Sequence, residues 1–187
     1  LSSKSLHLAD YFANQLKSDI DSLKNYSQRT TGFNNIDDQQ FFSPGLYVIG
    51  ATPAAGKTTF CWQLLEQLAR KGETCIYCSY EMSQLELFSK SLARELFKRV
   101  PKTELTAADI RRGAWSVQLA TTRDDFAKSN LDLSILELQD ESVDDLLALL
   151  KPLCLDKAKA PVVCLDYLQI VPSSRDSAKL GVDDSVR

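Results

Sequence analysis

The chain has a single histidine, His7, no surplus of positive charge, no visible secretory signal, and no apolar run near the roughly eighteen residues a membrane span needs. Its richest stretch, Leu146 to Leu155, is interrupted by Lys151 and Pro152, so no membrane partner is expected. Lack of histidine also bears on Cys75 and Cys78. A CxxC with no second copy and no nearby histidine lacks the ligand set of a zinc site. Inside the apolar run Thr74 to Ser79, the pair reads as core packing. Five cysteines without a secretory signal point to free thiols in a reducing, cytoplasmic setting. A net charge of -3 excludes a broadly basic nucleic-acid surface. It still permits a local one, such as a ring channel lined by a few residues from each subunit.

What is present begins at Gly50 to Thr59, GATPAAGKTT, directly after the apolar run Leu46 to Ile49. A β-branched and aromatic run, a loop of small residues, and Gly56-Lys57-Thr58 opening a helical pattern form the context of a phosphate-binding loop. Thr52, Pro53, Ala54, Ala55 and Gly56, followed by Lys57, Thr58 and Thr59, would bring backbone amides to a triphosphate at the positive end of a helix. Lys57 would then lie over the β- and γ-phosphates of ATP, and the Thr58 hydroxyl would hold Mg2+. The usual first glycine of this pattern is Ala51, with Gly50 one place early. A Gly-rich turn from strand to helix is the plainer alternative, but Gly-Lys-Thr-Thr after such a strand argues for nucleotide.

Ahead of this loop, residues 5 to 26 read as one amphipathic helix with Leu8, Phe12, Leu16 and Ile20 aligned. Its stripe must be covered, either by its own domain or by a neighbouring subunit. Arg29 to Pro44 reads as loop with short extended pieces, leading into a first strand at Leu46 to Ile49. A helix over 57 to 71, a strand over 74 to 79, and the crossover between strands predict a parallel sheet. Ser83 and Glu86 form a capping box for a helix carrying Leu85, Phe88, Leu92 and Leu96 and ended by Pro101. Glu81 therefore projects from a strand's C-terminal end, where a carboxylate can orient and deprotonate a water. The alternative is a solvated loop carboxylate. Further on, Thr106 caps a short helix, another spans about 115 to 129, and Leu131, Leu133 and Ile135 alternate as a strand. Ser142 caps a helix that Pro152 must kink or restart. Pro161 to Asp166, PVVCLD, reads as a buried strand ending in an acid, the Walker B pattern, with Asp166 on the metal side.

Four segments in this order, TGFNNID, GLYVIGATPAAGKTTF, YCSYEMS and VVCLDYLQIV, resemble the ATPase domain of DnaB-type replicative helicases, within the RecA-like superfamily. Ala51 fits that family's form of the loop, and Tyr80 is the single departure from its Ser-Leu-Glu-Met-Ser. The resemblance implies a RecA-like P-loop NTPase core, an α/β fold with a mostly parallel sheet and helices on both faces. It implies Lys57, Glu81, Asp166 and Gln169 as catalytic residues, with Glu81 as the base and Gln169 sensing the γ-phosphate. ATP and Mg2+ would be the cofactors, Thr58 and Asp166 the metal-side residues, and single-stranded DNA and a hexameric ring of copies the partners. Residues 1–28 would be a linker helix docking on an adjacent subunit, and 29–187 the ATPase core. The chain opens at Leu1 rather than Met and stops before the family's arginine finger and DNA-binding loop, so it reads as a piece of something longer. Arg175 and Arg187, the late arginines, match no finger motif. Two rival readings stay open: a regulatory or recombination ATPase of the same fold, and a nucleotide-binding assembly module.

Overall fold

A computed structural model of the chain describes residues 7–24, 29–38, 45–155 and 160–172. They divide into two units, Leu1–Val48 and Ile49–Arg187.

In the first unit the long amphipathic helix is two, α1 (Leu8–Asn14) and α2 (Leu16–Lys24), separated at Gln15, whose φ of -119° leaves the helical well. The apolar stripe is open: Leu8 is 68% and Phe12 60% exposed. Residues 5, 6, 25 and 26 of that expected helix lie outside the described residues. The segment expected as loop contains a one-turn helix, α3 (Asn34–Asp37). Its cause is local: the Asp37 carboxylate accepts from the amide and hydroxyl of Thr31 (2.6 and 2.7 Å) and from the amide of Gly32 (2.9 Å). That folds TGFNNID back on itself.

Leu46 to Ile49 is not a strand. Among the described residues it joins no ladder, and Leu46 and Val48 are 93% and 85% exposed. β-Branched composition records a fit to a half-buried pleated surface, and the ladder forms only where a partner and a covering layer exist.

The second unit is built on three parallel strands in the order β2-β1-β3: β1 (Cys75–Ser79), β2 (Leu133–Glu137) and β3 (Val162–Asp166). Register places Tyr77 beside Ile135 and Cys164, and Ser79 beside Glu137 and Asp166. All five β1 residues are buried, as a central strand covered on both faces requires. Cys75 and Cys78, three apart in a strand, therefore point to opposite faces and pack as expected, and burial pushes the Cys78 thiol up to about 11.

On the face carrying Tyr77 lies α4 (Lys57–Arg70), which buries Trp62, Leu65 and Leu68. The ring of Trp62 meets that of Tyr77 edge to face, 5.4 Å between centroids. On the other face α8 (Val143–Leu155) sets Leu146 and Leu150 against Ile76, Cys78 and Leu165. It is capped by Ser142, which exchanges hydrogen bonds with Asp145, and continues through Pro152 without a restart.

The remaining helices are α5 (Gln84–Arg99), α6 (Ala107–Arg111) and α7 (Val117–Lys128). The capping boxes at Ser83 and Thr106 form as expected. Along α5, Leu85 is exposed, Phe88 sets its ring edge to face on Trp62 (5.8 Å between centroids), and Leu87, Ser89, Ser91 and Leu96 are buried. A polar seam joins this helix to α4. Trp62 Nε1 donates to Ser91 Oγ (2.7 Å), which donates to Glu66 Oε2 (2.5 Å), and Arg94 closes on the same carboxylate. Arg70 holds the other oxygen at 3.0 Å.

Candidate functional site

The phosphate-loop motif meets the sheet at the start of α4. Residues 51 to 56 are exposed, and Ala55 N–H donates to the Thr52 carbonyl (3.2 Å), closing a turn over Pro53 and Ala54. Left-handed backbone falls on Ala54 (φ 62°) and Gly56 (φ 92°), not on Ala51, where the usual glycine is missing. Gly56 is the N-cap and brings no side chain to the first turn of α4. The amides at this end are therefore left for a ligand or solvent.

One turn in, the side chains converge. Asp166, 2% exposed at the C-terminal end of β3, accepts on Oδ2 from Thr58 Oγ1 (2.6 Å) and from Tyr77 Oη (2.7 Å). Its Oδ1 lies 3.9 Å from Lys57 Nζ, which also stands 4.4 Å from the centroid of the Tyr167 ring. Tyr80 N–H donates to the Asp166 carbonyl (3.0 Å), extending the β1–β3 ladder one residue past the strands. Burial and the bond to Asp166 push the Tyr77 phenol up, so it remains a donor. Cys164, one pleat back from Asp166, faces Cys61 on α4; that contact, burial and the Asp166 charge all push its thiol up.

Glu81 is exposed, two residues beyond β1 on the same sheet edge as Asp166. The turn that carries it is fixed. Ser79 Oγ donates to the Met82 carbonyl (2.7 Å) and accepts from the Met82 amide (3.0 Å). Tyr80 uses its hydroxyl to reach the Glu141 carbonyl (2.9 Å), a bond the family's leucine lacks. Gln169 is exposed in the 3-10 turn Leu168–Ile170. Thr59 Oγ1 accepts from Lys90 Nζ (3.0 Å), so this part of the motif also ties α4 to α5. The expected site residues thus fall into a joined group, Lys57, Thr58 and Asp166, and two exposed ones, Glu81 and Gln169, on the edge beside it. Arg175, Arg187 and the loop from Ser173 lie outside the described residues.

Sequence reasoning passed over Tyr77 and Tyr167. Tyr77 was readable only as a tyrosine in an apolar strand, and its link to an acid 89 residues away depends on the register of β1 with β3. Tyr167 follows the acid directly and was legible only as part of a motif.

The donor set suits Mg2+. A hydroxyl and a carboxylate are hard oxygen ligands, and this ion takes one or two from protein and the rest from phosphate and water. Among the described residues no group of three or more His, Cys, Asp or Glu could hold a metal ion. Among the described residues no helix is long and apolar enough to cross a membrane.

Comparison with known proteins supplies the family. A search of curated proteins gives no match. Among solved structures, 36 chains match. One, described as an ATPase domain, aligns with a TM-score of 0.62 at 18% identity over 90% of this chain and 60% of its own. Another, a DnaB-like replicative helicase studied with its interactions with primase, aligns with a TM-score of 0.68 at 18% identity over 92% of this chain and 41% of its own. The fold is thus that of RecA-like ATPase domains, and this chain spans less than two thirds of either structure. A family model described as the DnaB-like helicase C terminal domain matches residues 29–183. Both the match and the fold agree: the chain belongs to the DnaB-like helicase C-terminal domain family.

Proposed function

We propose that the chain is the ATP-binding and ATP-hydrolysing core of a DnaB-like replicative helicase that moves on single-stranded DNA. The observation that carries this reading is the meeting of Lys57, Thr58 and Asp166 at the first turn of α4. A lysine, a hydroxyl and a buried carboxylate at an uncapped helix start are the groups that phosphoryl transfer needs on the phosphate side.

In this reading the amides of Thr52 to Thr59 cradle the phosphates, and Lys57 swings from Asp166 to the β- and γ-phosphates. Thr58 and Asp166 would hold Mg2+, which when bound would supply charge neutralisation along the transferred group. Glu81 orients the attacking water and accepts its proton, and Gln169 reads the γ-phosphate. The exposure of Glu81 on a braced turn supports this role: a base must reach solvent to take a water, yet keep its aim. The open stripe of α1 supports docking on a neighbouring copy in a hexameric ring, with residues 1–28 as the linker. The family supports a cytoplasmic setting.

The test is binding of a fluorescent ATP analogue. Lys57→Ala is expected to weaken affinity on the order of a hundredfold, the worth of a charged contact and its partners. Retained affinity would remove the phosphate loop from the reading. In the longer protein, single-stranded DNA is expected to raise the ATPase rate. Robust basal turnover without stimulation would favour a regulatory ATPase.

A further inference from the structure

We propose that Tyr77 is a positioning residue for the metal side of the site, acting through Asp166 to set how readily the protein takes up Mg2+ with nucleotide. The inference rests on the reading of Asp166 as the metal-side acid. Three observations carry it.

First, Tyr77 is fully buried on the central strand, and its hydroxyl donates to Asp166 Oδ2 at 2.7 Å, the same oxygen that Thr58 engages at 2.6 Å. A phenylalanine would fill the same space. The hydroxyl is therefore retained for its partner, since a buried polar group survives only where it is satisfied.

Second, the ring cannot turn away. Trp62 packs edge to face on it, and Trp62 is itself held by Ser91, which Glu66 holds in turn. The aim of the hydroxyl is set by a chain of contacts running from the α4–α5 seam into the sheet.

Third, Asp166 has a competing attraction. Lys57 Nζ lies 3.9 Å from Oδ1, close enough to draw the carboxylate over. A carboxylate committed to Lys57 turns away from the ion, and it also withholds the lysine from phosphate. By holding Oδ2, Tyr77 keeps the group in place when the Thr58 hydroxyl leaves it for the metal. In this role Tyr77 touches neither substrate nor ion.

The experiment is the Mg2+ requirement for binding a fluorescent ATP analogue, titrated on the chain at fixed nucleotide, beside the affinity measured in EDTA. In Tyr77→Phe the half-saturating Mg2+ concentration is expected to rise about tenfold, the worth of one hydrogen bond to a charged group. Affinity in EDTA should be unchanged. Equal Mg2+ requirements in the two proteins overturn the proposal, and a lowered melting temperature alone would then mark the hydroxyl as a packing contact. If the unsubstituted chain binds the analogue with no Mg2+ dependence, the reading of the site itself fails, and the two failures are told apart. Should Tyr77→Phe not fold, 3-fluorotyrosine at position 77 keeps the ring and the hydroxyl. Its fluorine resonance is expected to move when Mg2+ is added to the nucleotide-bound protein, and a resonance that stays in place overturns the proposal.

Discussion

The back of the site and its mouth are built in opposite ways. At the back, Trp62, Tyr77 and Asp166 are almost wholly inaccessible, and each polar atom that anchors them has a partner: Trp62 on Ser91, Tyr77 on Asp166, Asp166 on Thr58. At the mouth, residues 49 to 56 are exposed, Glu81 is exposed, and the loop holds the turn from Ala55 to Thr52. The difference teaches a division of labour. On the proposed function, a metal-side acid at Asp166 is desolvated and aimed before ligand arrives, because reorientation during the reaction costs rate. A phosphate cradle has to leave its amides unsatisfied, because a loop that bonded itself would have nothing to offer the anion.

The largest expected effect separates the two regions by activity. Glu81→Gln, at the mouth, is expected to lower ATP turnover by about 10²- to 10⁴-fold, the range of a general base, with analogue affinity and melting temperature unchanged. Turnover equal to the parent protein's would return Glu81 to the status of a solvated carboxylate.

The reverse pattern is expected at the back. Glu66→Ala removes the carboxylate that Ser91, Arg94 and Arg70 share in the α4–α5 seam and should cost about 2 kcal/mol of stability in urea unfolding. Per folded molecule, nucleotide affinity in EDTA should be kept. A loss below about 0.5 kcal/mol, typical of surface changes, would mean that the seam is not what stiffens the back.

Acid sharpens the same point. Burial tends to raise the Glu66 carboxyl, but the Ser91 hydrogen bond and the Arg94 and Arg70 charges outweigh it, so the folded group titrates below its ordinary 4.5. Because the folded pKa is depressed, its contribution is complete above the unfolded value and is lost as pH falls through the folded one. Stability measured from pH 6 down should therefore show an acid limb below about 4.5 that shrinks in Glu66→Ala. An identical limb in both proteins would assign acid sensitivity elsewhere.

Smallest of all, Leu46→Ser should change stability by no more than about 0.5 kcal/mol, as expected for an exposed side chain without a ladder. A loss of several times that would show that Leu46 to Ile49 is paired in solution, and the contrast between mouth and back would narrow.

Much of this was legible beforehand because the determining interactions are local. The capping boxes at Ser83 and Thr106 need only three residues of chain, and they form. Lys57 opening a helix behind a small-residue loop, and an acid ending the Val162–Asp166 strand, are likewise local patterns, and the structure joins them. Where reading failed, the cause was a partner far along the chain. Leu46 to Ile49 has strand composition but no ladder. Leu85 follows the helical spacing of Phe88 and Leu96 yet lies outward, while Phe88 packs on Trp62.

The sequence by itself therefore determined the capped helix starts at Ser83 and Thr106, the small-residue loop ahead of α4 and the identity of the candidate acids, since each is specified within a turn or a strand. Only the tertiary structure decided which acid is buried and which is free. It was also the tertiary structure that brought Tyr77 to Asp166, because that contact depends on the register of two strands and on the packing of α4 across them, which no local pattern encodes.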